Sequence, residues 1–177
     1  MGEKELSNYS YEDYLDIDAT TPEDERVELI FGDIYMMSGA SRDHQDVVGN
    51  IFYIFKTLQK KQNCKAVLAP FDIKLKCDAT INVVQPDVML FCKSEEIPCL
   101  VVEVLSPSTA LKDKTVKKEL YECFGIEEYL IVDPINHYVD RYILKNGKLH
   151  YDKCYGSEDS FSVVCLDEVV DIGGFFE

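Results

Sequence analysis

Val83-Val84-Gln85-Pro86-Asp87-Val88-Met89-Leu90-Phe91 and Cys99-Leu100-Val101-Val102-Glu103-Val104-Leu105 are the two runs on which the reading of this chain turns. Both are dominated by β-branched and large apolar residues and both end in turn signals, so each predicts a buried strand. Each also carries one carboxylate, which is costly in such a setting unless something compensates it. Asp87 and Glu103 stand 16 positions apart on consecutive strands and can converge on one point. A divalent cation is the natural compensator there.

Outward from this pair, the pattern alternates helix and strand. Ser10 caps a short helix with Asp13 three residues on, and residues 1–20 read as peripheral, the first ten poorly ordered. Thr21-Pro22-Glu23-Asp24-Glu25 predicts a second helix start. Glu28 to Met37 predicts a hairpin turned at Gly32-Asp33. Val47, Val48, Ile51, Ile54, Phe55 and Leu58 keep helical spacing from Asp43 to about Gln62. Val67–Leu75 and Ile81–Phe91 are expected as strands. A helix capped by Ser108 or Thr109 should run to Phe124, with Gly125 as its stop. Tyr129–Val132 follows as a strand, Asn146-Gly147 turns another hairpin, and Phe161–Val164 is a last short strand. The expected class is α/β: one domain over residues 1–177, a central sheet flanked by helices, with added antiparallel hairpins.

Composition narrows the function classes. With 177 residues and 46% hydrophobic content, the chain can bury a real core. No stretch reaches 18 consecutive apolar residues and Met1-Gly2-Glu3-Lys4-Glu5 is no secretory signal, so no membrane association is expected. The seven cysteines are odd in number and scattered, several within apolar runs as small core residues. No C-x-x-C occurs, which argues against zinc, and a cytoplasmic setting fits. The net charge of −15 argues at first against a nucleic-acid ligand. Its distribution changes that: residues 1–28 carry −8 and residues 151–177 carry −6, leaving −1 for the 122 between. Within that middle, Lys56, Lys60, Lys61 and Lys65 cluster on one segment and Lys112, Lys114, Lys117 and Lys118 on another. These are solvated helix faces or the flanks of a phosphate-bearing substrate. The acidic ends leave three roles open: masking a site, meeting a basic partner, or adding solubility.

At Pro86-Asp87 and Glu103 the chain resembles the PD-(D/E)XK nuclease superfamily, and more narrowly the Uma-two family of restriction-endonuclease-like proteins. The stretches that carry the resemblance are Val27–Asp33, Ala69–Ile73, Val84–Asp87, Val102–Thr109 and Glu128–Pro134, in the family's order. The resemblance implies a restriction-endonuclease-like core with a mixed sheet. It implies Asp87 and Glu103 as ligands of Mg²⁺ or Mn²⁺, with the backbone carbonyl of Val104 as a third. It also brings Glu28 and His44 to the site. Two residues after Glu103 the superfamily places lysine, where this chain has Leu105. The Uma-two pattern puts a lysine on the following helix instead, which maps to Lys117.

The function expected is a metal-dependent endonuclease acting on DNA, cytoplasmic, and by analogy a homodimer. The alternative is a catalytically weak or inactive nucleic-acid-binding or regulatory protein on the same fold. Lys117 also stands four residues after Asp113, the spacing of an ordinary helix ion pair. Gln85, two residues before Asp87, would share its side of a continuous strand. Asp72 and Asp133 read as structural. Ser106 and Ser108 have no nucleophile-elbow context, and there is no Walker loop or dinucleotide fingerprint.

Overall fold

Breaks in the apolar runs at proline organise the fold. The computed structural model describes residues 8–37, 39–61 and 63–177, so the expectations for residues 1–7 and for Gln62 lie outside the described residues. The chain opens with α1 (Tyr11–Thr20), β1 (Arg26–Ile30), β2 (Asp33–Met37) and α2 (Arg42–Leu58). Five strands follow: β3 (Lys65–Leu68), β4 (Ile73–Cys77), β5 (Thr80–Val84), β6 (Val88–Phe91) and β7 (Leu100–Val104). Then come α3 (Ala110–Lys112), a π-helical turn (Asp113–Lys117), α4 (Lys118–Phe124) and β8 (Glu128–Asp133). The chain closes with β9 (Tyr138–Lys145), β10 (Lys148–Gly156), β11 (Ser160–Val163) and β12 (Glu168–Asp171).

Two compact units result, residues 1–39 with 72–85, and residues 40–71 with 86–177. The two long strands expected over Val67–Leu75 and Ile81–Phe91 are therefore four. β3 and β6 belong to the second unit and β4 and β5 to the first. Pro70 and Pro86 stand at the breaks, where a residue without an N–H cannot extend a central ladder.

The first unit is an antiparallel sheet in the order β2-β1-β5-β4. Its hairpin turns at Phe31-Gly32, one residue before the expected pair, with φ of 50° and 84°. Both are positive, as a tight turn that follows strand twist requires. Ser10 accepts the Asp13 N–H while Asp13 accepts the Ser10 N–H, so α1 begins in a capping box. Tyr14, Val27, Leu29 and Val83 make this unit's core. No helix starts at Thr21. Its hydroxyl donates back to the Ile17 carbonyl, and Glu25 N–H closes a turn onto Pro22.

The second unit holds a mixed sheet in the order β10-β9-β8-β7-β6-β3, in which only β7 and β8 run parallel. That parallel pair needs a crossover, and the α3–α4 segment supplies it. Residues of one parity, Val88, Leu90, Leu100, Val102, Val104, Leu130 and Val132, share a core with Val47, Val48, Ile51 and Phe55 of α2. Glu103 has the opposite parity and so lies on the other face. Gly125 ends α4 in the left-handed conformation, and Asn146-Gly147 turns β9 into β10. The hairpin β11–β12 packs its Phe161, Val163 and Val170 into the α2 core.

The cysteines depart from the expected scattered thiols. Cys64 is disulfide-bonded to Cys92 and Cys99 to Cys165, while Cys154 is free and exposed. These pairings lend no support to a reducing cytoplasm. No helix among the described residues is long and apolar enough to cross a membrane.

Candidate active site

Strand register brings the two acids together. β6 and β7 pair with Val88 opposite Val102, Met89 opposite Val101 and Leu90 opposite Leu100. One further step in the same register sets Asp87 opposite Glu103, both of the parity opposite to Val88, Val102 and Val104 of the α2 core. Asp87 precedes β6 as a bend residue. Its Oδ2 accepts the Val104 N–H at 2.7 Å, which ties the Asp87 carboxylate to the end of β7. Glu103 is 3% exposed in a strand whose five residues are all buried.

Compensation for Glu103 comes from the crossover. Lys117 Nζ donates to Glu103 Oε1 at 2.9 Å and Tyr121 OH donates to the same oxygen at 2.6 Å. Lys117 is itself 2% exposed, with Asp113 Oδ1 3.9 Å away. So Lys117 leaves the company of its neighbouring lysines. Lys114 reaches Asp140 at 4.0 Å and Lys118 lies over the Tyr142 ring, both away from Glu103.

The segment between Asp113 and Lys117 is π-helical where an uninterrupted α-helix was expected. One-turn π segments occur often at functional sites, because they re-aim side chains within a helix. Tyr129 OH donates to the Asp113 carbonyl at 2.9 Å and pins this turn to β8. Tyr129 packs edge-on against Tyr121 with ring centroids 5.0 Å apart. Burial pushes the Tyr129 phenol well above its usual range, and the charges of Glu103, Asp113 and Asp87 push it the same way. It therefore remains a neutral donor.

His44 sits in the first turn of α2, where its N–H donates to the Ser41 cap. The imidazole is buried, with Nε2 3.3 Å from Asp87 Oδ2. Burial alone would lower its pKa. The hydrogen bond to Asp87 and that carboxylate's charge, with the Val104 backbone and Asp113 behind them, hold it above the ordinary histidine value. His44 Nδ1 is buried without a hydrogen-bond partner among the described residues.

Within the second unit, His44 pairs with Asp87 and Lys117 with Glu103, and the Asp87 carboxylate is tied to Val104, the residue after Glu103. Glu28 lies in the first unit on β1, fully buried, and its Oε1 accepts the Gln85 N–H at 2.9 Å. Gln85 does not extend the Asp87 strand, because the chain leaves the first unit between Gln85 and Pro86. The Gln85 side chain bonds to Asp72, whose carboxyl burial pushes up despite that bond. Asp133 Oδ1 accepts the N–H groups of Ile135 and Asn136, a turn cap as expected.

Tyr129 is the supporting residue that sequence reasoning passed over. Its signal was a hydroxyl in an otherwise aliphatic buried strand, which must find a partner.

Residues 11–168 match the Uma2 family, described as "Putative restriction endonuclease". An uncharacterized protein of Synechocystis sp., slr1290, is 33% identical over 127 residues. That match takes in 67% of this chain and 66% of the relative, just under two thirds of the relative's length. The crystal structure of a "putative nuclease belonging to DUF820" from Anabaena variabilis aligns with a TM-score of 0.73. It does so over 94% of this chain and 97% of that one at 16% identity, a likeness of fold. The α/β class with a mixed sheet and antiparallel additions agrees with the expectation from sequence.

Proposed function

The chain belongs to the Uma2 family, and on that premise we propose that it is an endonuclease hydrolysing DNA phosphodiester bonds with Mg²⁺ or Mn²⁺. One observation carries this reading: Asp87 and Glu103 face each other at the ends of adjoining strands, with the Lys117 ammonium 2.9 Å from Glu103.

The donors suit such an ion. Two carboxylates and the Val104 backbone carbonyl form an all-oxygen set, which favours Mg²⁺ or Mn²⁺ over softer metals. When bound, the ion supplies Lewis acidity toward the phosphate and lowers the pKa of a water. Asp87 and Glu103 are the residues that hold it. Lys117 is buried with its charge at Glu103, where it orients the attacking water or stabilises charge developing on the phosphate. Tyr121 fixes the Glu103 carboxylate by its 2.6 Å hydrogen bond. His44 holds a proton on Nε2 beside Asp87 and is suited to exchange it there. The family pattern also calls for Glu28, whose carboxylate accepts the Gln85 N–H within the first unit. Residues 1–177 are read as one nuclease domain, and cutting both strands of a duplex favours a homodimer carrying two such sites.

The test is nicking of supercoiled plasmid at low salt with Mg²⁺, Mn²⁺ or EDTA, with Glu103→Ala and Glu103→Gln alongside. Metal-dependent nicking that both variants lose is the expected result. Absence of cleavage with either metal would remove the endonuclease reading in favour of a binding or regulatory role.

A further inference from the structure

We propose that Cys64, Cys92, Cys99 and Cys165 form, when reduced, a tetrathiolate site for Zn²⁺ at one end of the mixed sheet, separate from the carboxylate centre.

No C-x-x-C announces such a site, and the four positions span 102 residues of sequence. Strand pairing assembles them. Lys65 faces Phe91 across β3 and β6, so Cys64 and Cys92 are the next facing pair, with Cα atoms 4.1 Å apart. Cys99 lies just before β7, which adjoins β6, and its N–H bonds to the Leu90 carbonyl. Cys165 follows β11 and comes within 6.3 Å of Cys99, Cα to Cα. The sulfurs of Cys92, Cys99 and Cys165 all lie within 4.8 Å of one another, and the Cys64 sulfur is bonded to that of Cys92. Two disulfides thus stand side by side, and their four sulfurs occupy one small volume.

A tetrahedral zinc–thiolate centre has Zn–S bonds of about 2.3 Å, which sets sulfur–sulfur separations of roughly 3.8 Å. Three of the sulfurs already lie within 4.8 Å of one another, close to that spacing. Thiolate ligands select zinc over the hard ions suited to the carboxylate centre. Cys64, Cys92 and Cys99 each adjoin a strand of the mixed sheet, and Cys165 lies in the turn between β11 and β12. Cys64 and Cys99 are 8% and 5% exposed, which shields a bound ion from exchange.

The chemistry balances. Each disulfide takes two electrons and two protons from a dithiol, which closes to its own disulfide. The four thiols then release four protons as they bind one Zn²⁺. In the oxidised chain the same sulfurs have no thiolate to offer, so metal and disulfides are mutually exclusive.

Co²⁺ serves as the spectroscopic probe. The full-length chain is reduced with a phosphine, which becomes its oxide with oxygen from water, and is then titrated anaerobically with Co²⁺ and Zn²⁺. The expected result is one Co²⁺ per chain with the intense sulfur-to-cobalt charge-transfer band in the near ultraviolet, displaced by Zn²⁺. Cys99→Ser and Cys92→Ser lose that band, whereas Cys154→Ser keeps it. Cys165→Ser, a less buried position, covers the case in which Cys99→Ser does not fold. The proposal is overturned if the reduced chain shows no thiolate–cobalt band, or if the band survives in the Cys92, Cys99 and Cys165 variants. Glu103→Ala leaves the band intact, which separates this test from that of the nuclease reading.

Discussion

Replacing Lys117 with methionine tests the charge balance of the site more sharply than any activity assay. The substitution keeps the length and most of the volume of the side chain, so it opens no sizeable cavity. It removes the ammonium that stands 2.9 Å from Glu103 and 3.9 Å from Asp113. Both carboxylates are almost wholly shielded, with side chains 4% and 2% exposed. Breaking one side of a buried pair costs about 3–5 kcal/mol, because an uncompensated charge is left behind. For a chain of this length each kcal/mol moves Tm by roughly 2–4 °C. Lys117→Met should therefore lower Tm by about 6–20 °C in EDTA at neutral pH, followed by circular dichroism. Adding Glu103→Gln removes the stranded charge, so the double variant should recover much of that loss. The non-additivity should be on the order of 1–3 kcal/mol. Mn²⁺ should raise the Tm of Lys117→Met more than that of the parent, since a cation then replaces the one removed. A drop below about 2 °C, or strictly additive single and double variants, would refute the view that Lys117 is there to balance Glu103.

Other outcomes follow from the same geometry. Glu103→Gln should retain the Tyr121 hydrogen bond and the fold, yet lose Mn²⁺ binding by calorimetry and metal-dependent nicking with it. Tyr121→Phe removes a hydrogen bond to a charged group and should cost about 1.5–3 kcal/mol, read as a lower urea midpoint at unchanged slope. Arg141→Met should cost roughly 3–5 kcal/mol, because Arg141 Nε meets the buried Glu128 at 2.6 Å. Metal affinity at Asp87 and Glu103 should not change with it. Alkaline stability should fall as the tyrosines titrate, since Tyr14, Tyr129, Tyr138 and Tyr142 are all held above 10, Tyr138 at about 12. The unfolded phenols ionise first, so this contribution is intact below pH 10 and is lost as pH climbs toward the folded values. Absorbance at 295 nm that showed every tyrosine ionising near pH 10 in the folded chain would contradict it.

Local pattern determined a good deal by itself. Val83–Phe91 and Cys99–Leu105 announce buried strand segments through composition, and a lone acid in each stands out because burial makes it expensive. Asn146-Gly147 and Gly125 mark a turn and a helix stop through backbone freedom at positive φ. The helical period placed Lys117 on the same face as Asp113.

Tertiary structure decided the rest, because the deciding terms are pairings between distant residues. Only strand register sets Asp87 opposite Glu103, and only the break at Pro86 assigns Gln85 and Asp87 to different units. The π turn that carries Lys117 to Glu103 is held by Tyr129 from β8, a hydrogen bond between residues 16 apart. Four cysteines spread from residue 64 to residue 165 carry no local signature, and their sulfurs meet because β3, β6, β7 and β11 end at one place. Periodicity reports which face of an element is apolar. What that face meets depends on which elements the chain brings beside it, a choice made by the packing energy of the whole core.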